Sequence, residues 1–212
     1  MRLTRELCLI SICIILIFSK LDAQEEKQAL RLGASFGAGT QQFFPYNSPD
    51  YKYNVTGFKA LINYRVKELR SFSFEVQSDP GLYFARHILL NPDFVQPDYG
   101  PNYLELREIY TKEKTIAEYV LNFGLLIRYQ PKGRISYFIM GSIGPMISGT
   151  ATERLAKGFA FSDIVGLGVS IKAGRFVFDF RPSLRHVSNL DIQFPNSGHN
   201  SSNIDFGISV FL

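Results

Sequence analysis

Near the end of the chain, in "LRHVSNLDIQFPNSGHN" (residues 184–200), a histidine precedes a serine by two positions. On an extended strand such residues share a face, about 6.6 Å apart at the backbone. An imidazole and a hydroxyl can close that gap to a hydrogen bond, which makes His186 a general base for a Ser188 nucleophile. Asn189 follows and offers a side-chain amide or a backbone N–H to a developing oxyanion. The triplet also reads as two polar residues where a strand runs out into a loop. A bare H-x-S does not decide between the two; the elements that carry it must.

The chain has 212 residues and a formal net charge of +4, which suits a single domain. The positive charge is spread along the sequence and forms no basic stripe of the kind that nucleic acid requires. "MRLTRELCLISICIILIFSKLDAQ" has a basic start, an apolar run from Leu7 to Phe18 and a small residue at Ala23. This is the layout of a secretory leader over 1–23, leaving 24–212 as one domain. The apolar run is shorter than the roughly 20 residues a spanning helix needs. Both cysteines, Cys8 and Cys13, fall inside the leader, so the mature chain is expected to hold no disulfide and no thiolate site.

The remainder alternates with period two, as strands with two unlike faces do. Phe72, Phe74 and Val76 oppose Ser73, Glu75 and Gln77, and Ile204, Phe206, Ile208 and Val210 oppose Asp205, Gly207 and Ser209. Segments near 28–38, 56–66, 71–88, 119–130, 134–146, 160–172, 174–187 and 203–212 follow this rule, the third with an expected bulge at Asp79-Pro80. Links at 39–55, 89–118, 147–159 and 188–202 are long, whereas those at 67–70, 131–133 and 173–174 are tight turns. Alternating long and short links, an even strand count and a leader predict an all-β fold: an eight-stranded antiparallel transmembrane β-barrel of the outer membrane.

On the seventh segment Phe176, Phe178, Phe180, Pro182 and Leu184 share one face, which His186 and Ser188 continue. Asp179, Arg181 and Arg185 point the other way, into the barrel. If the phenylalanines meet lipid, so do the histidine and serine, at the strand end nearest the long loops. Polar groups in that position are costly to leave idle.

The stretch "RHVSN" (185–189), the "NSG" loop (196–198) and the closing alternating strand resemble the PagL-type lipid A 3-O-deacylases, also labelled acyloxyacyl hydrolases. The resemblance implies an eight-stranded outer-membrane barrel that hydrolyses the ester holding the 3-O-linked acyl chain of lipid A. It makes Ser188 the nucleophile, His186 the general base and Asn189 an oxyanion donor. It implies no metal and no cofactor. Its implied partners are lipopolysaccharide and the surrounding membrane lipids of the bacterial outer membrane, with no nucleic acid and a homodimer left open. One position departs from the family. The acidic third member falls near Asn200, which can hold an imidazole's tautomer but cannot balance its charge; Asp191 and Asp205 are nearby substitutes.

Two other histidines, His87 and His199, offer a second catalytic base or an ordinary surface role. Glu153 and Arg154 offer a clamp for a phosphate or saccharide, or a solvated loop. The rival functions are a non-enzymatic small barrel and a phospholipase using the same serine–histidine chemistry.

Overall fold

The computed structural model describes residues 29–212; the expected leader and its cleavage point lie outside them. Eight antiparallel strands form a closed barrel. They are β1 (Leu30–Thr40), β2 (Tyr51–Leu69), β3 (Phe72–Leu89), β4 (Lys114–Tyr129), β5 (Ile135–Ser148), β6 (Gly158–Ala173), β7 (Phe176–Ser188) and β8 (His199–Phe211). Each pairs with its neighbour in sequence, and β1 closes the ring on β8 with Phe36 opposite Phe206. The connection between β3 and β4 carries two short 3-10 turns and one helix, α1 (Tyr103–Tyr110).

Alternation places apolar side chains outside and charges inside, the reverse of a soluble barrel. Phe36, Phe58, Phe123, Leu125, Ile139, Val165, Leu167 and Phe206 are exposed on the wall. Such a belt is stable only against hydrocarbon. The inward residues form paired charges stacked along the axis. At the short-turn end Glu75 meets Arg31 at 3.2 Å and Arg128 at 2.8 Å, and Arg181 meets Asp179 at 2.6 Å. Lys59 and Asp205 pair at 2.8 Å midway, and Arg185 and Glu118 at 2.8 Å nearer the long loops. An interior void among Lys59, Tyr83, Arg185 and Asp205 measures about 10 Å³, room for a single water. Small barrels fill in this way, so this one is a packed wall.

The bulge expected at Pro80 lies elsewhere. Pro80 has no N–H to donate, yet β3 keeps its register on either side of it, from Lys59↔Gly81 to Ile62↔Ser78. The register shift is instead on β2, between Arg65 and Lys67. The strands also run further toward the long loops than expected: β2 begins at Tyr51 and β4 at Lys114. Above the apolar belt the pattern inverts, with Tyr51, Tyr53 and Val55 buried and Lys52, Asn54 and Thr56 exposed.

Candidate active site

His186 lies two positions before the end of β7, on the outer face with Pro182 and Leu184. Its partner across the ladder on β8 is Asn200. His186 Nδ1 and Asn200 Oδ1 are 2.7 Å apart. An amide oxygen only accepts, so the proton sits on Nδ1 and Nε2 keeps the lone pair that a general base needs.

Ser188 ends β7 and is 9 % exposed. Among the described residues no hydrogen bond joins it to His186; catalytic bonds of this kind often tighten only around substrate. After Ser188 the chain reverses over Asn189–Ile192. Leu190 and Asp191 have φ of 54° and 59°, and Ile192 N–H donates to Asn189 O at 3.1 Å. Two consecutive positive φ angles match a type I′ turn, which non-glycine residues adopt at a cost of about 1–2 kcal/mol each.

Asn189 is held inside this loop. Its backbone N–H donates to Asn196 Oδ1 at 2.6 Å, and its side-chain amide donates to Gln193 O at 2.6 Å. Asn196 in turn donates to Asp191 at 3.0 Å. Asp191 therefore braces the turn, and Asp205 faces the barrel interior against Lys59. Neither substitutes as the acid on His186. Gly198, at φ 67°, closes the loop. A Cβ there would stand 2.5 Å from Val187 O and 3.0 Å from the imidazole Cε1 of His186, so only glycine permits this approach.

A neighbouring loop, 149–157, fastens the first. Gly198 N–H donates to Arg154 O and Ala156 N–H to Pro195 O. Arg154 Nε donates to Gly198 O at 2.8 Å, and its guanidinium lies over the rings of Tyr51 and Phe94. Arg154 is thus a strap between loops; the sequence offered no sign of contacts so far apart along the chain. Glu153 is no clamp either. It is fully buried, with its carboxylate 2.8 Å from His87 Nε2. Tyr99 O–H donates to Glu153 O at 2.7 Å, and burial, reinforced by Glu153, pushes that phenol up to about 12.

His87 and His199 lie inside the barrel mouth. His199 stacks on Tyr53 at 4.7 Å and meets Thr152 Oγ1 at 3.0 Å. Both imidazoles are almost wholly buried, which places them beneath the loops and away from the outer face.

Outside the wall, an open apolar trough of about 1610 Å³ runs past Val165, Leu167, Pro182 and Leu184 and reaches Asp163.

A family model described as "Lipid A 3-O-deacylase (PagL)" matches residues 96–209, more than half of the chain. Among solved structures, the outer membrane enzyme PagL superposes with a TM-score of 0.52 at 14 % identity, over 84 % of this chain and 97 % of that one. Neisserial surface protein A follows at 0.49 and 9 % identity, over 86 % and 97 %. No curated protein matches the chain. The extent of the family match, which takes in β4 to β8 with His186 and Ser188, makes this chain a member of the lipid A 3-O-deacylase (PagL) family.

Proposed function

We propose that the protein is a serine esterase of the bacterial outer membrane that releases the 3-O-linked acyl chain from lipid A. Ser188 attacks the ester carbonyl while His186 Nε2 takes the hydroxyl proton. Asn200 holds the imidazole in the tautomer that leaves Nε2 free. The oxyanion role falls to Asn189, whose backbone N–H must first be yielded by Asn196. The alkoxide of the sugar leaves with the proton from His186, and water then hydrolyses the acyl-serine. The trough that reaches Asp163 and Leu184 is open to the side and apolar, which suits an acyl chain already lying in the leaflet. Residues 1–23 are the leader that directs export, and N-terminal sequencing of the membrane-inserted protein tests that cut.

The observation that carries the reading is the outward-facing His186–Asn200 pair two residues from Ser188. Mass spectrometry of lipid A from cells expressing the protein tests it, with Ser188→Ala alongside. Loss of one hydroxyacyl mass with the wild type alone supports the reading. Release from both would displace Ser188 as the nucleophile.

The absence of a carboxylate on His186 Nδ1 favours a second reading, a barrel without esterase activity. Unchanged lipid A and unchanged phospholipids from the wild type would support it. Cleavage of phospholipids with lipid A unchanged would instead identify a phospholipase.

A further inference from the structure

Asp163 breaks the rule that the outer wall follows. On β6 the outward positions read Phe159, Phe161, Asp163, Val165 and Leu167, one carboxylate in an apolar row. On the β5 side it stands opposite Ile143. On the β7 side it stands opposite His186. Directly opposed residues on one face have Cβ atoms about 5 Å apart, so His186 is the one polar side chain directly across from it. Asp163 Oδ1 is buried and has no hydrogen-bond partner. One of the two carboxylate oxygens of this part-exposed residue is thus cut off from solvent without a partner, which is costly unless a positive charge comes to it.

His186 thus has a neutral acceptor on one flank, Asn200 of β8, and a carboxylate on the other, Asp163 of β6. In a Ser-His-Asp triad a single acid both fixes the tautomer and balances the imidazolium that forms. We propose that this chain divides those tasks: Asn200 orients His186, and Asp163 supplies the negative charge that stabilises its imidazolium. This rests on the esterase reading above. No proton passes to Asp163. The Ser188 proton moves to His186 Nε2, the positive charge appears on the ring, and Asp163 stays a carboxylate beside it. Asp163 is a positioning residue acting through His186.

The test compares wild type, Ser188→Ala, Asp163→Asn, Asn200→Asp and the double variant Asp163→Asn/Asn200→Asp, all as full-length protein refolded in detergent. Two rates are read: fatty acid release from purified lipid A, and labelling of Ser188 by a fluorophosphonate, which reports the nucleophile without the lipid. An opposite charge at this range biases protonation by about one to three powers of ten. Asp163→Asn is therefore expected to lower kcat and the labelling rate by roughly 10- to 1,000-fold, with KM little changed. Moving the carboxylate to the other flank in the double variant should restore the larger part of both rates. A merely structural Asp163 would not be rescued from the opposite strand.

If wild type acts, Ser188→Ala does not, and Asp163→Asn matches wild type in both rates, the division of labour is wrong while the esterase reading stands. The division of labour fails equally if Asp163→Asn is slow and the double variant no faster. A wild type inert toward both lipid A and the probe would remove the esterase reading and this inference with it.

Discussion

Arg154 Nε donates to the carbonyl of Gly198 over 2.8 Å, and Arg154 O accepts from Gly198 N–H at the same distance. This reciprocal pair is the tightest link between the loop after β5 and the loop that follows Ser188. It acts on Gly198, where an added Cβ would come within 3.0 Å of His186 Cε1.

Arg154→Ala should therefore loosen the site without opening the barrel. The charged hydrogen bond and the stacking on Tyr51 and Phe94 are together worth about 1.5–3 kcal/mol. Lipid A release should fall roughly 10- to 150-fold, in line with that energy. The heat-modified shift of the folded barrel on gels should stay near that of wild type. Loss of the folded band would mean that Arg154 supports the wall itself.

Gly198→Ala tests the close approach directly. A left-handed alanine costs about 1–2 kcal/mol, and its Cβ must displace either Val187 O or the imidazole. Activity should drop at least about fivefold, by that cost. Gly141→Ala is the control, because a Cβ there meets nothing within 4 Å. Equal activity in the two variants would show that the loop can relax around residue 198.

Asn200→Ala removes the acceptor at 2.7 Å and frees the imidazole to take either tautomer. Where the tautomer is wrong, serine triads lose up to about 10⁴ in kcat, so a loss of roughly 10²- to 10⁴-fold is expected. Asn200→Asp should equal or exceed wild type. An Asn200→Ala variant as fast as wild type would take Asn200 out of the site.

The interior pair makes a separate prediction about stability. Glu118 is buried against Arg185 at 2.8 Å and also accepts from Tyr53 O–H at 2.6 Å. Removing it leaves an uncompensated guanidinium, which costs about 3–5 kcal/mol. Glu118→Ala should lower the urea midpoint of barrel unfolding accordingly. Glu118→Ala/Arg185→Met should recover much of the loss, since the stranded charge is then gone too. No recovery would place the stability in the Tyr53 and Ser162 bonds rather than in the charges.

The wall of the barrel was legible because lipid outside and ion pairs inside enforce alternation along every strand. The strand ends were not. Once β2 and β4 rise above the hydrocarbon, water wets the outside and the loops cover the inside. Tyr51, Tyr53 and Ile116 then face inward, and the alternation changes sense. The outward position of His186 was legible by parity alone. Asp163 carried the same signal, an acid on an apolar face, but its meaning depends on the register of β6 against β7, which no single segment encodes. Asp205 shows the converse. It lies near the serine in sequence, yet the pleat sends it inside to Lys59.

The constellation around His186 takes one residue from each of three adjacent strands, Asp163, His186 and Asn200. A chain crossing the periplasm unpaired holds only fragments of it, scattered along an extended backbone. On the esterase reading, hydrolytic power arises only when β7 docks between β6 and β8. On that reading, assembly of the wall is itself the activation step.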